Sequence, residues 1–403
     1  MTSTRTKRNS AFYKKNLRRV LAETILTSIG AGFCIPVMTI FYESIGMNQT
    51  DIGITQMGFT IIVCFLDIPM GYVADRFNRK TLNIIGDFGV ALSFFVYSLA
   101  QNMYMCLLAE TLLAIFSAMT NGVDQAFLKY NCYELDESGE LFKKLNAKAF
   151  TARYVALLVS TILGSLIAKY SIRASILAAF FPYLAGGIIS FTIVDTGEKA
   201  KGETRNLFID MLKTLKKILS KKTTRTLLYS NILGNEITHP QVWVFTPLLL
   251  FCGVPIEIVS SGWVLYYIMQ TLGGKLSERM VGLKYSKKFI IPMAIEISWM
   301  IVLIVHTNIV TIWLFALNGL VHGLISGHSM SALQESVEDE YQTSLVSVAS
   351  TCKRLMYIPL VYFINYLGDI KLQYSLVGMC VIFIPLCTIV YFMLKRFEKS
   401  ECS

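Results

Sequence analysis

Long apolar segments alternate with short polar ones along the whole chain. Five of them contain no Asp, Glu, Lys or Arg over about the 20 residues that a helix needs to cross a bilayer. A sixth, 297–334, is longer and must fold back once. Because a chain in lipid satisfies its backbone hydrogen bonds internally, each segment is predicted to be helical. The five charge-free segments are 24–42, 88–109, 174–194, 237–256 and 372–394.

Other apolar segments hold isolated charges, and including them raises the number of predicted spans to twelve. The sequence therefore predicts an all-α membrane protein with twelve transmembrane helices. Their approximate limits are 20–45, 52–75, 82–100, 103–128, 147–168, 173–194, 226–252, 256–278, 288–306, 309–334, 344–367 and 372–394.

Composition agrees with this class of protein. Hydrophobic residues make up 54% of the chain and charged residues 16%, against about 25% charged in soluble proteins; the mean hydropathy is +0.53. In a soluble protein, a net charge of +10 would suggest nucleic-acid binding. Here the cations cluster on one side of the predicted spans. The opposite side holds only Lys169, Arg173 and Lys371. This positive-inside asymmetry predicts a multi-pass protein of the cell membrane, surrounded by lipid, with both termini cytoplasmic and no nucleic-acid partner.

No cofactor or metal site is predicted. The nine cysteines show no CxxC spacing, so neither a zinc site nor a disulfide framework is indicated. His322 and His328 are six residues apart and do not share a helical face, which argues against a metal pair. The sequence also lacks an ATP-binding motif. The basic N-terminus leads into a segment too long for a signal peptide, so the first span is expected to be retained.

The longest polar stretch divides the chain into two sets of six spans. The predicted domains are 1–194, a linker 195–225 and 226–403. Within the linker, apolar residues recur at helical spacing opposite a lysine-rich face. They indicate either a helix lying on anionic lipid or a site for a regulatory partner. These apolar residues are Leu207, Met211, Leu215 and Ile218.

The two halves share a sequence motif. The stretch "GYVADRFNRK" follows span 2, and "GGKLSERMVGLKYSKK" ends span 8. Aligning Gly274 with Gly71 places Arg279 on Arg76, 203 positions apart. Two parallel halves related by an axis along the membrane normal are the design of one large class of transporters.

The motif resembles a known signature of the major facilitator superfamily, Gly-x-Leu-Ala-Asp-Arg-x-Gly-Arg-Lys, with Val73 and Asn78 as the departures. The preceding "DIPMG" is similar to the "EIPTG" run of one bacterial efflux-like branch. The resemblance implies two pseudo-symmetric six-helix bundles that transport a small molecule by alternating access. We expect such a transporter to act as a monomer.

In this family the motif is thought to hold the two halves closed on the cytoplasmic side. The resemblance therefore implies a conformational latch made of acids, cations and a small residue. The alternative is that the cations only fix the topology. The predicted latch residues are Asp67, Gly71, Asp75, Arg76, Arg79, Lys80, Glu278 and Arg279.

The resemblance also implies that spans 1, 4, 7 and 10 line a central cavity. Charged groups inside spans are costly, so those at mid-depth are candidates for proton coupling or substrate binding. Glu236 and His239 are three residues apart and share a helical face. The alternative for each candidate is ordinary interhelical packing. The polar candidates are Glu110, Glu236, His239, Asn318 and His322, and the apolar ones are Phe33, Phe116 and Trp243.

Other charged residues in the spans are given structural interpretations. Asp124 and Arg153 are predicted to form a buried ion pair near the cytoplasmic ends of spans 4 and 5. Glu23 lies within two turns of the inner boundary and is expected to be hydrated. Asp87 and Glu296 lie on spans that are usually peripheral in the family, where local pairing is expected.

The leading functional hypothesis is a proton-coupled exporter of small amphipathic or cationic compounds. The family's usual arginine relay is missing, because Glu110 stands at the arginine position of proton-coupled members. A second hypothesis is an importer or uniporter of a metabolite on the same fold. A third, from another class, is a membrane enzyme or non-transporting sensor. No nucleophile–base pairing supports enzymatic activity, so the chain is not expected to be an enzyme.

Overall fold

In a computed structural model, the backbone is described for residues 2–76, 79–121, 123–195, 215–216, 220–280, 282–326, 328–337 and 342–401. These residues form helices joined by short connections, and none of them is in a β-strand. The first half of the chain contains α1 (Thr2–Cys34), α2 (Met38–Ser44), α3 (Gln49–Arg76), α4 (Arg79–Leu99), α5 (Met103–Thr120), α6 (Val123–Tyr133), α7 (Glu140–Ala168) and α8 (Ile172–Ser190).

The second half repeats this order of long and interrupted helices. It contains α9 (Lys222–Glu236), α10 (Val242–Phe251), α11 (Ile256–Arg279), α12 (Tyr285–Val305), a 3₁₀ turn (Thr311–Phe315), α13 (Ala316–Ser326), α14 (Ser329–Glu335), α15 (Gln342–Ile370) and α16 (Leu372–Glu401).

Each of the twelve predicted spans coincides with one helix or with consecutive helical segments. In both halves, the first and fourth spans are interrupted. The breaks separate α1 from α2, α5 from α6, α9 from α10, and α13 from α14. In a bilayer such breaks are tolerated where the freed backbone groups are buried in protein or line a cavity. The helix predicted between residues 207 and 218 lies almost wholly outside the described residues.

Seven helical stretches of the described residues are long and apolar enough to cross a membrane when α5 and α6 are counted as one stretch, or eight if the bent pair α1 and α2 is one span. The seven belong to predicted spans 2, 3, 4, 5, 6, 9 and 12. Spans 7 and 10 do not meet this test as single helices because they are broken. Spans 8 and 11 are long helices, α11 and α15, but they carry more polar and charged residues.

The helices group into two compact units. The first unit is Met1–Phe41 with Phe65–Glu203, and the second is Tyr42–Cys64 with Thr204–Ser403. The segment 42–64 thus belongs by sequence to the first half and by contacts to the second unit. The domain limits 1–194, 195–225 and 226–403 stay a prediction.

In the first unit, α1 packs along α7 and α8, and α4 packs along α5 and α8. Small residues set the distance between α1 and α7 at one end. A Cβ on Gly164 would lie 2.5 Å from the backbone oxygen of Phe33, so no larger side chain fits there without a backbone shift. Such small-residue contacts are typical of helix packing in membranes.

In the second unit, α11 and α13 approach each other through glycines in the same way. A Cβ on Gly319 would overlap the backbone oxygen of Tyr266, and one on Gly323 would overlap that of Gln270. Helix α3 joins this unit through its first turn, where the carboxylate of Asp369 accepts the backbone N–H groups of Gln49 and Thr50. The side chain at the end of α15 thereby caps α3.

Candidate functional site

A cavity of about 340 Å³ lies inside the first unit, among α1, α4, α5, α6, α7 and α8. We call it the acid cavity because three carboxyl groups and a single guanidinium line it. Its charged and amide-bearing residues are Glu23, Asn83, Asp87, Asn121, Asp124 and Arg153, and its hydroxyl-bearing residues are Thr27, Ser28, Ser117, Thr120 and Tyr183.

Asp87 lies on α4 and is held by a small polar network. Its carboxylate accepts a hydrogen bond from the Ser190 hydroxyl at 2.6 Å, and the Asn83 amide lies at 3.4 Å. The Asn83 amide also donates to the Ser190 oxygen at 3.0 Å. Asn83 and Asp87 are four residues apart, so both reach the same face of α4. Asp87 is 2% exposed, and this network fixes its side chain at the cavity wall.

Glu23 lies on α1 and enters the same cavity. It is 4% exposed, so the expectation that it is hydrated at the membrane boundary is wrong. Its carboxyl group lies within hydrogen-bonding reach of the Asn83 amide and interacts electrostatically with Asp87, Asp124 and Arg153. One of its oxygens, Oε2, is buried and has no hydrogen-bond partner among the described residues. Glu23 is therefore the least satisfied carboxyl group of the cavity.

Asp124 and Arg153 form an ion pair at the edge of the acid cavity. The Nη2 atom of Arg153 donates to Oδ2 of Asp124 at 2.6 Å. The two side chains are 22% exposed for Asp124 and 41% for Arg153, so the pair is half-buried and not fully buried as the sequence predicted. Solvent screening weakens such a pair. Arg153, which carries the single guanidinium of the cavity wall, therefore already has a carboxylate partner.

An apolar groove lies on the first unit between α1 and α7. Its volume is about 770 Å³, and its walls are almost entirely hydrocarbon. Lys148 marks one end of the groove and Leu163 the other. Beyond the Leu163 end of the groove, the two helices touch at Gly164.

The second unit brings three of the predicted polar residues into one group, which we call the histidine cluster: Glu236, His239, His322 and Lys353. Lys353, on α15, interacts electrostatically with Glu236 and with both histidines. Lys353 is not among the polar cavity candidates selected from spans 1, 4, 7 and 10. The cluster therefore contains one carboxyl group, one amine and two imidazoles.

Aromatic side chains surround the histidine cluster. The His239 ring stacks on Tyr357 with 4.5 Å between ring centres, and the indole N–H of Trp243 donates to the Tyr357 hydroxyl at 2.9 Å. Nδ1 of His322 lies 3.0 Å from the hydroxyl of Tyr266. The predicted residues Trp243, His239 and His322 thus share a neighbourhood in which aromatic rings fix their orientation.

Asn318 belongs to a different group. Its amide donates to Oε1 of Glu296 at 3.1 Å and to Oε1 of Gln241 at 3.0 Å. Asn318 and Glu296 are fully buried and Gln241 is 1% exposed. Oε2 of Glu296 and Oδ1 of Asn318 are buried without a hydrogen-bond partner among the described residues, so the network is only partly satisfied. Because Gln241 precedes α10, this network braces the interruption of span 7. It agrees with the local pairing expected for Glu296.

The remaining cavity candidates do not line the acid cavity. Glu110 is buried on α5. Phe116 packs over Gly89 of α4. The backbone oxygen of Phe33 accepts the Ser175 hydroxyl at 3.0 Å. Among the described residues, no group of three or more His, Cys, Asp or Glu side chains could hold a metal ion.

Most of the predicted latch lies outside the described side chains, which exclude residues 67–76. Arg79 is described: it is 8% exposed, and its guanidinium lies over the Tyr130 ring at 5.1 Å. Glu278 and Arg279 are exposed at the end of α11. The latch, which comprises Asp67, Gly71, Asp75, Arg76, Arg79, Lys80, Glu278 and Arg279, stays a prediction.

The sequence signal for the acid cavity was present but incomplete. Asn83 and Asp87 follow the four-residue spacing of a helical face within span 3, which marks a polar stripe in an apolar segment. Glu23 and Ser190 come from other helices. Only the fold brings them to that stripe, and no local pattern links residues 60 or more positions apart.

Comparison with known proteins identifies the fold. Two solved structures align over nearly the whole chain. A crystal structure of a variant of the nucleoside transporter NupG has a TM-score of 0.74 and 13% identity, covering 94% of this chain and 99% of that one. A bacterial homologue of the human lysosomal transporter Spinster, in an inward-facing unoccupied conformation, has a TM-score of 0.72 and 12% identity, covering 96% and 98%. These likenesses show the twelve-helix fold alone.

Two curated relatives match over part of their length. An uncharacterized transporter of the major facilitator type from Methanocaldococcus jannaschii is 25% identical over 115 residues, 28% of this chain and 30% of that protein. Another from Bacillus subtilis is 20% identical over 152 residues, 38% of this chain and 35% of that protein. The matches thus span about a third of these relatives. The family model of the major facilitator superfamily matches residues 22–359. The chain therefore belongs to the major facilitator superfamily of membrane transporters.

Proposed function

We propose that this chain is a proton-coupled exporter of small amphipathic or cationic compounds, and that the acid cavity is its ion-binding site. The observation that carries the proposal is the convergence of Glu23, Asp87 and Asp124 on one cavity that holds a single cation, Arg153. A membrane-embedded cavity with two more acids than cations favours positively charged guests. The cavity volume suits a small ligand.

Proton coupling follows from the cost of leaving these acids charged. An ionised carboxylate in apolar surroundings is unfavourable unless a proton or another cation neutralises it. Glu23 and Asp87 interact electrostatically, so binding a cation at one of them lowers the need for a proton at the other. A proton and a cationic substrate therefore compete for the same oxygens, and this competition is the basis of exchange.

The apolar groove supports the amphipathic part of the proposal. It lies on α1 and α7, the same two helices that carry Glu23 and Arg153. Apolar walls accommodate hydrocarbon or aromatic groups through van der Waals contacts. A compound with a charged end and an apolar body has complementary surfaces on these helices.

The alternative, an importer or uniporter of a metabolite on the same fold, differs in substrate charge or direction. An anionic metabolite would need a cation at the site, and Arg153 is already paired with Asp124 at 2.6 Å. The proposed direction, export, is based on the resemblance of "DIPMGYVADR" to an efflux-like branch. The experiment must therefore measure transport in both directions.

The test is transport of aromatic amines in inverted membrane vesicles. We expect accumulation to require an imposed pH gradient and to fall at least tenfold in Glu23→Gln and Asp87→Asn. Glu137→Gln, an exposed carboxyl outside the acid cavity, is the control and should behave as wild type. Accumulation that persists after the gradient is collapsed would refute proton coupling. Uptake in right-side-out vesicles down the amine gradient alone would support the uniporter.

A further inference from the structure

Four hydroxyl groups in the wall of the acid cavity can serve a ligand only as hydrogen-bond acceptors. A hydroxyl group has one hydrogen to donate, and here the helix backbone takes it. The hydroxyls of Thr27, Ser28, Ser117 and Thr120 all donate to backbone oxygens three or four residues earlier, at 2.7–3.3 Å. These side chains can therefore offer only lone pairs to a ligand.

Two buried oxygens in the cavity wall have no hydrogen-bond partner among the described residues. They are Oε2 of Glu23 and Oδ1 of Asn83. The residues are 4% and 1% exposed. Buried acceptors without donors are rare in native proteins, and each requires an explanation. Both residues line the same cavity, so a ligand in that cavity is a direct explanation.

The donors of Asn83 and Arg153 in the cavity wall go to other protein groups. The amide N–H₂ of Asn83 is shared among Ser190, Asp87 and the Glu23 carboxyl group, and Nη2 of the Arg153 guanidinium donates to Asp124. Tyr183 and Asn121 are the other side chains of the wall that can donate. Among the described residues, no donor of the wall reaches Oε2 of Glu23 or Oδ1 of Asn83. We infer that protons or the N–H groups of a ligand supply the hydrogens that these two oxygens lack.

We propose that the acid cavity recognises its substrates through a primary ammonium group. An ammonium carries three N–H donors and one positive charge, which match the acceptors of Glu23, Asn83 and Asp87. A quaternary ammonium carries the same charge but no N–H, so it leaves those acceptors unsatisfied. This inference rests on the proposed function, because it names the substrate class for the same cavity.

The experiment compares two ligands of the same charge and the same aromatic body, 2-phenylethylamine and its N,N,N-trimethyl derivative, in which three methyl groups replace the N–H donors. Calorimetric titration of the purified full-length protein at neutral pH measures both affinities. We expect the primary amine to bind at least tenfold more tightly, because sites built to hydrogen-bond a group discriminate strongly against analogues that lack it.

Variants then assign the preference to the cavity. Asn83→Ala removes one unpartnered acceptor and should reduce the preference for the primary amine to threefold or less. Glu23→Gln replaces an acceptor oxygen by an N–H₂ group of similar size and should weaken the primary amine more than the trimethyl compound. Asn146→Ala, at an exposed position outside the acid cavity, should keep the wild-type preference. Thermal unfolding of each variant establishes that it is folded.

The outcomes separate this inference from the proposed function. Equal binding of the two compounds would overturn primary-ammonium recognition and leave a purely electrostatic cation site. Tighter binding of the trimethyl compound would overturn it as well. Binding of neither compound would count against both the inference and the proposed cation site. A wild-type preference that survives in Asn83→Ala and Glu23→Gln would place recognition elsewhere and overturn the assignment to this cavity.

Discussion

The carboxylate of Asp369 accepts the backbone N–H of Gln49 at 2.7 Å, although the two residues are 320 positions apart. A second bond comes from the backbone N–H of Thr50 at 2.9 Å. The first N–H groups of a helix have no partner within the helix, and a negative charge there is favourable. Asp369 therefore caps α3 and ties the start of this first-half helix to the last turn of α15.

We predict that Asp369→Ala lowers the free energy of unfolding by about 1 kcal/mol, the usual effect of losing a cap. A matched case exists at α12, where Glu398 accepts the backbone N–H and the hydroxyl of Ser286, both at 2.7 Å. Hydrogen exchange should accelerate at Gln49 and Thr50 in Asp369→Ala, and at Ser286 in Glu398→Ala. Equal acceleration at both helix starts in either variant would contradict a local cap.

Two glycine substitutions should have opposite effects on stability, because one glycine lies at the contact between α1 and α7 and the other lies on an open face of α11. Gly164→Ala places a Cβ 2.5 Å from the Phe33 backbone oxygen and should cost about 1–3 kcal/mol through overpacking. Gly274→Ala on α11 meets no atom within 4 Å and should stabilise by about 0.5–1 kcal/mol, because alanine favours the helix. Thermal unfolding in one detergent measures both. A stabilising Gly164→Ala would show that the helices do not touch there.

The histidine cluster predicts a coupled effect of Glu236 and Lys353. Glu236 is 3% exposed and interacts with the half-buried ammonium of Lys353. Removing one charge leaves the other poorly compensated, so Glu236→Gln and Lys353→Met should each cost about 1–3 kcal/mol. The double variant should cost less than the two single costs added together, which a double-mutant cycle measures. Additive costs would mean that the two charges act independently.

Asp136 predicts a pH dependence outside the membrane spans. Hydrogen bonds from the Ser138 hydroxyl and the backbone N–H of Leu141 hold the pKa of the Asp136 carboxyl below its usual value of 3.8. A carboxyl with a lowered pKa stabilises the folded loop above its ordinary value, and the contribution disappears as the pH falls through the lowered pKa. Protection of the Leu141 amide against hydrogen exchange should therefore decrease below about pH 4. In Asp136→Asn this pH dependence should be absent; if it persists, another group titrates.

The helices could be predicted from the sequence because the bilayer leaves so few alternatives. A charge-free segment such as 372–394 has no other way to satisfy its backbone in lipid. The break between α9 and α10 contains Pro240, where the sequence predicts a kink because proline has no backbone N–H. The contacts of Gln241 with Glu296 and Asn318 beside this break could not be predicted, because these residues come from distant parts of the chain.

The candidate site was predicted only in part. Glu236, His239 and His322 were selected as candidates because they lie near the middle of spans expected to line the cavity. The second unit does bring these three residues together. The same reasoning set aside Glu23 and Asp87, because one lies near a span end and the other on a span expected to be peripheral. Their proximity to each other and to Asn83 is a property of helix packing in the first unit. The pattern of residues in a single sequence does not reveal this proximity.

The competition between a proton and a cationic ligand in the acid cavity is tested most directly by counting the protons that binding releases. Calorimetric titration of 2-phenylethylamine into the purified protein, repeated in buffers with different ionisation enthalpies, gives that number. The account predicts release of about one proton per bound amine near neutral pH in wild type, and none in the double variant Glu23→Gln/Asp87→Asn. Tight binding of the amine by wild type without any proton release would contradict it.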